Sequence, residues 1–109
     1  MNTVTELQLQ AQIFQYHWNN YPIQRGLLFH VNNKARNSIE GNKFKAIGVI
    51  PGVSDLIYLK PGGNTLLIEL KIESGSQSTI QKTWQQTVEN NGYQYIIIRS
   101  LEEFILLLK

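Results

Sequence analysis

The 109-residue chain holds one aspartate, Asp55, which follows the turn Ile50-Pro51-Gly52-Val53-Ser54 and opens an apolar run ending at Leu59. Fourteen residues on, Glu69 and Lys71 interrupt a second apolar run, Leu66-Leu67-Ile68-Glu69-Leu70-Lys71-Ile72. Side chains alternate across a strand, so Glu69 and Lys71 project on one face while Ile68, Leu70 and Ile72 project on the other. Charge in so apolar a strand is expensive unless it is paired or binds a metal. Two readings fit. One is an ion pair of Glu69 with Lys71 or with a cross-strand neighbour. The other needs the two runs to pair, so that Asp55 and Glu69 converge. Two carboxylates plus a main-chain carbonyl then form a hard-oxygen site suited to Mg²⁺ or Mn²⁺, ions that keep several waters. Lys71 beside it could orient or deprotonate a water, or offset charge developing on a phosphate.

The elements around these residues read as follows. Val4, Leu7, Ala11, Phe14 and Trp18 recur at three- and four-residue spacing, which predicts an amphipathic helix from Thr3 to about Asn19. Thr3 and Glu6 form a capping-box pattern at its start, and Tyr21-Pro22 closes it. Gly26–Val31 reads as a short strand and Asn32–Lys45 as a loop. Asp55–Leu59 and Thr65–Ile72 flank Lys60-Pro61-Gly62-Gly63-Asn64, a strong turn signal, and read as a hairpin. A second helix is expected from Ser78 to about Asn91, with a capping box at Ser78 and Gln81 and with Trp84, at helical spacing from Ile80 and Val88, in the core. Gln94–Arg99, with three consecutive isoleucines, reads as a central buried strand. Ser100 and Glu103 cap a terminal helix, Leu101–Leu108. The order α-β-β-β-α-β-α implies one domain over residues 1–109, an α/β (α+β) fold with a mixed central sheet flanked by helices.

Composition narrows the function classes. Without cysteine there is no disulfide scaffold, thiolate zinc site or cysteine nucleophile. Apolar residues at 42% support a packed core, and charged residues are few at 17%, with ten Asn and ten Gln in their place. No apolar run is long enough to span a bilayer, and the N-terminus lacks a secretory pattern, so the expectation is a cytoplasmic protein with no membrane partner. Net charge is only +2, but five of the ten cations, Arg25, Lys34, Arg36, Lys43 and Lys45, lie in one stretch with Glu40 as its only acid. That stretch is either a solvated basic loop or a surface for a phosphate backbone. His17 and His30 read as ordinary packed or surface histidines, and Glu73 as surface.

The ordered set resembles the PD-(D/E)XK nuclease superfamily, and more narrowly its small stand-alone VRR-NUC form. The likeness is carried by Lys45-Ala46-Ile47-Gly48, Gly52-Val53-Ser54-Asp55-Leu56 and Leu67-Ile68-Glu69-Leu70-Lys71. It continues through Gly75-Ser76-Gln77-Ser78, Gln81, Trp84, Gly92-Tyr93 and Ile98-Arg99-Ser100, and spans Glu6 to Glu103. Ser54 stands where the superfamily has the proline of its "PD", a position that turns the chain and supplies no ligand.

The resemblance implies a restriction-endonuclease-like fold and a metal-dependent phosphodiesterase. Asp55, Glu69 and the backbone carbonyl of Leu70 would hold Mg²⁺ or Mn²⁺, and Lys71 would sit beside the attacking water. Gln81 would help fix the lysine or the water. Glu6 would belong to the metal's outer shell, with Gln10 completing a Glu-x-x-x-Gln. DNA is the implied substrate, gripped by Arg25, Lys34, Arg36, Lys43 and Lys45. A homodimer cutting a branched substrate such as a four-way junction is the leading expectation. Alternatives are a flap, nick or non-specific nuclease within a larger complex, and a non-catalytic DNA-binding module. The Asn/Gln-rich composition suits a phage or mobile element.

Overall fold

A computed structural model describes residues 4–32 and 36–109. Four strands form one sheet in the order β1-β2-β3-β4: Leu28–His30, Leu56–Leu59, Thr65–Leu70 and Gln94–Ile98. β1–β2 and β2–β3 pair antiparallel and β3–β4 parallel, so the sheet is mixed as the sequence implies. β2 and β3 are the inner strands and β4, expected to be central and buried, lies at an edge; it is in β3 that the chain is most enclosed, with Leu66 through Lys71 all buried. Helices α1 (Glu6–Asn20) and α4 (Leu101–Leu107) cover one face, where Leu9, Ile13, Leu28, Leu56, Ile68, Leu70, Ile98 and Phe104 form the core. The helix α3 (Thr79–Asn90) packs over β4 and carries the residues that meet Glu69 and Tyr95 on the opposite face of the sheet. On β3 the alternation is kept: Leu66, Ile68 and Leu70 belong to the core cluster, and Leu67 and Glu69 do not.

Several expectations are corrected. A fourth α-helix, α2 (Ser38–Ala46), forms where a loop is expected, capped by the Asn37 side chain accepting from the Glu40 N–H at 2.8 Å. Its missing apolar stripe explains the misreading, since α2 has no buried residue. A 3₁₀ turn at Pro22–Gln24 follows α1. Strand β1 is shorter than expected, and β3 ends at Leu70 rather than Ile72. Thr3 lies outside the described residues; the cap of α1 is Thr5, in a capping box with Gln8. Most consequentially, α1 does not bury the stripe Val4, Leu7, Ala11, Phe14, Trp18. It buries Leu9, Ile13 and His17, and leaves Leu7 75% exposed and Trp18 41% exposed. His17 Nε2 donates to Gln24 Oε1 at 3.1 Å, and the same oxygen accepts from the Tyr58 hydroxyl, so this buried histidine is satisfied within the core.

Trp84 is half-buried against Tyr95, with ring centroids 6.1 Å apart. Ile80 is largely exposed, but its backbone and side chain close on Gly52. A Cβ at Gly52 would meet Ile80 Cγ2 at 2.5 Å and the Ile80 carbonyl at 2.8 Å, and its φ of +84° already favours glycine. The turn before Asp55 is thereby pinned to α3.

Candidate active site

The hairpin places the two carboxylates. The β2–β3 register pairs Leu56 with Ile68, and one step further Asp55 falls opposite Glu69, where directly opposed side chains share a face. Asp55 Oδ2 accepts from the Leu70 N–H at 2.7 Å, which ties the aspartate to the strand that carries Glu69. Ser54, buried at the proline position, donates from Oγ to the Leu56 carbonyl at 3.1 Å and holds the turn by a hydrogen bond instead of a ring.

Glu69 is 1% exposed and every oxygen is engaged. Oε2 accepts from Gln81 Nε2 at 2.9 Å and lies 3.8 Å from Lys71 Nζ; Oε1 accepts from the Tyr95 hydroxyl at 3.3 Å. Burial and the neighbouring Asp55 push the Glu69 carboxyl up to about 8, against the opposing pull of Lys71 and Tyr95. Burial first, and the nearby Glu69 second, raise the Tyr95 hydroxyl as well. Lys71 is itself buried, and its N–H donates to the Ile98 carbonyl at 3.1 Å.

Gln81 makes the capping contact and also reaches Glu69. Its Oε1 accepts from the Ser78 N–H at 2.9 Å while Ser78 Oγ accepts from the Gln81 N–H at 3.2 Å, a complete capping box. With Oε1 held by the cap, the amide must present its NH₂ to Glu69. The cap thus fixes the side-chain orientation that the site uses, and it acts on Glu69 rather than on Lys71 directly. At Ser100 the box is only half formed: Ser100 Oγ caps Glu103, but the Glu103 carboxylate accepts from the N–H of Arg99.

A cleft of about 190 Å³ opens beside Asp55 and Leu70, lined also by Glu6, Leu7 and Gln10 of α1 and by His30 and Asn32. Glu6 and Gln10, one helical turn apart, therefore share a wall with Asp55, whereas Glu69 lies buried and outside the lining. Among the described residues no three Asp, Glu, His or Cys side chains cluster as a metal cage. What is present is a pair of carboxylates crowded together on buried backbone, with one ammonium at 3.8 Å. Two neighbouring carboxyl groups, one of them disfavoured as an anion by burial and by the other, are oxygen donors that fit Mg²⁺ or Mn²⁺, which take few protein ligands and many waters.

Sequence reasoning missed three participants. His30, read as ordinary, lines the cleft, with Nδ1 2.8 Å from the Asp55 carbonyl. A carbonyl only accepts, so Nδ1 carries the proton. Tyr95 and Gln77 extend the carboxylate network, Gln77 Nε2 donating to Tyr95 at 3.1 Å and to Gln85 at 2.8 Å. The register Leu67↔Tyr95 brings Tyr95 beside Glu69, a pairing that no local pattern in the sequence announces.

The basic set is scattered. Lys34 lies outside the described residues. Arg25 rests over the Trp18 ring at 4.9 Å, Arg36 pairs with Glu40 at 2.8 Å, and Lys43 and Lys45 are exposed in the last turn of α2. No helix among the described residues is long and apolar enough to cross a membrane.

A hairpin carrying Asp55, Glu69 and Lys71, backed by a helix that supplies Gln81 to the same carboxylate, has the arrangement expected of a PD-(D/E)XK nuclease core. The family model of the VRR-NUC domain matches residues 8–102, and the chain belongs to that nuclease family. Among solved structures it is similar to a "VRR_NUC domain protein", at TM-score 0.74 and 20% identity over 98% of this chain and 87% of that one. A second, a "VRR_NUC domain", gives TM-score 0.60 and 16% identity over 90% and 91% of the two chains. Both share the fold. Among curated proteins none matches.

Proposed function

We propose that this chain, as a single domain over residues 1–109, is a Mg²⁺- or Mn²⁺-dependent endonuclease that hydrolyses DNA phosphodiester bonds. The reading rests on one observation above others: Asp55 and Glu69 opposed across β2–β3, with Gln81 and Lys71 directed at the same Glu69 oxygen. Asp55, Glu69 and the Leu70 carbonyl would hold the metal, with Glu6 in its outer shell. The ion would supply Lewis acidity toward a phosphate and make water a stronger nucleophile at neutral pH. Lys71 orients the attacking water and offsets charge on the pentavalent phosphorus. Gln81 and Tyr95 hold the Glu69 carboxyl in one rotamer, and the incoming ion would displace its proton. Asp55 is held by the Leu70 N–H, so this ligand would be in place before the substrate arrives.

Lys43 and Lys45, with Arg25, Lys34 and Arg36, would meet backbone phosphates, which position DNA without reading its sequence. Selectivity then comes from DNA shape. A single small site suits a homodimer that places two such centres on a branched substrate such as a four-way junction. The test is cleavage of labelled four-way junction, flap, single-stranded and duplex DNA with Mg²⁺, Mn²⁺ or EDTA, for wild type and Lys71→Ala. Metal-dependent cutting abolished by Lys71→Ala is the expected result. Binding without cutting under either metal overturns the catalytic reading, and a preference for flaps or duplex ends over the junction overturns the branched-substrate part alone.

A further inference from the structure

The face of α1 that the sequence assigns to the core is instead left outside it, with Leu7, Ala11 and Trp18 exposed and Phe14 half-buried, and it adjoins the active-site cleft. A second groove, about 350 Å³, runs between this face and β1, lined by Leu7, Phe14 and Phe29 with the polar Gln10, Gln15 and His30. Leu7, Gln10 and His30 line both hollows, so the groove continues the cleft that holds Asp55. Beyond it the aromatic line goes on: Phe14 stacks on Trp18 at 5.7 Å and 28°, and the Arg25 guanidinium lies 4.9 Å from the Trp18 ring centre. Apolar side chains left exposed side by side along a groove mark an interaction site. Flat aromatic faces with amide side chains among them and a cation at one end match the chemistry of a nucleobase on a charged backbone.

We propose that this groove binds unpaired nucleotides next to the scissile phosphate, stacking bases on Phe14 and Phe29 and drawing the backbone toward Arg25. It rests on the nuclease reading of the adjoining cleft alone, and among branched substrates it favours those with unpaired bases at or beside the cut, such as a flap, over a fully paired junction. A paired duplex keeps its bases stacked on one another and cannot offer them to the groove.

The test is metal-free binding, in EDTA, of a short thymidine oligonucleotide and of a blunt duplex of equal length. In a Trp84→Phe background Trp18 is the only indole, so its fluorescence reports occupancy of the groove. The oligonucleotide is expected to quench Trp18. Read by the anisotropy of labelled DNA, Phe29→Ala and Trp18→Ala are each expected to weaken single-strand binding by about tenfold, within the range of one base–aromatic stack, and duplex binding by less than twofold. Trp18→Phe should restore most of the loss. Leu7→Ser, at a position already three-quarters exposed, should weaken single-strand binding in the same direction and guards against a misfolded aromatic variant. Unchanged single-strand affinity in these variants overturns the proposal. So does an equal loss for both DNAs. A wild-type dimer that Phe29→Ala splits, with oligonucleotide affinity unaltered, would show the groove to be a contact between copies and also overturns it. Because no metal or cleavage enters this measurement, a failure of the nuclease reading shows up separately, as Lys71→Ala cutting like wild type.

Discussion

From Leu66 to Lys71 every residue is buried, whereas between Val31 and Val53 none of the described residues is. The two stretches carry the two halves of the proposed task, and they are built to opposite standards. In the first, Glu69 is fixed by Gln81, Tyr95 and Lys71, and Asp55 by a backbone N–H. In the second, α2 buries no residue, and its terminal lysines reach into solvent. Bond-breaking depends on tenths of an ångström, which only packed backbone supplies. Gripping a polyanion depends on charge within reach, which exposed side chains supply without fixed geometry.

Removing a carboxylate from the packed region is expected to have the largest effect. Asp55→Asn keeps an acceptor for the Leu70 N–H but removes a metal ligand, and kcat with Mg²⁺ should fall by about 10³-fold or more. The same change relieves repulsion on Glu69, so the melting temperature in EDTA should be no lower than that of wild type. Activity within tenfold of wild type would show that Asp55 is structural, and the contrast between the regions would collapse.

The pH dependence sharpens the comparison, since only the packed region holds a carboxylate raised far above its usual range. The folded chain keeps the Glu69 proton up to about pH 8, and the unfolded chain loses it near 4.5. The folded state therefore binds more protons between those values. Its stabilisation is complete below about pH 4.5 and is lost as pH rises toward 8, with a slope of at most about 1.4 kcal/mol per unit. Denaturant titrations in EDTA at pH 5 and pH 8 measure it, and Glu69→Gln should flatten the difference. Metal binding must expel the same proton, so Mg²⁺ affinity should climb up to about tenfold per pH unit over the window. Affinity flat across pH 5–8 would mean that Glu69 is ionised throughout.

Gln81 separates packing from chemistry within one side chain. Gln81→Glu can still accept from the Ser78 N–H, preserving the cap, but it turns a carboxylate instead of an NH₂ toward Glu69. Gln81→Ala loses both contacts. Both variants should lower kcat by about 10- to 100-fold, as losses of a ligand's supporting partner do. Only Gln81→Ala should also lose about 1 kcal/mol of stability, read from chemical denaturation.

The sequence made the hairpin legible because turn residues, alternation and misplaced charges all sit within a short span, Asp55 to Lys71. The remaining features depend on long-range packing. Tyr95 reaches Glu69 only because β3 and β4 pair in parallel across the intervening α3. The apolar spacing of α1 is ambiguous, since Leu7, Phe14 and Trp18 make as regular a stripe as Leu9, Ile13 and His17. Only the sheet's need for a partner at Leu56, Ile68 and Leu70 decides between them. Helix α2 was illegible for the opposite reason. It has a capping residue and no apolar face, so periodicity had nothing to detect.

The smallest expected effect lies in that exposed region, and it gives the comparison its other arm. Replacing Lys43 and Lys45 by Gln touches no buried group, so stability should stay within about 0.5 kcal/mol. The variant should cut saturating substrate at the wild-type rate while KM rises. The plot of log affinity against log salt should lose about one to two units of slope, one for each phosphate contact given up. Arg36 makes a useful second arm, because its charge is already engaged by Glu40 at 2.8 Å. Arg36→Gln should reduce the slope less than either lysine does. A drop in kcat with unchanged slope in the lysine variant would mean that α2 orders the active site rather than the DNA, and the division of labour between the two regions would have to be redrawn.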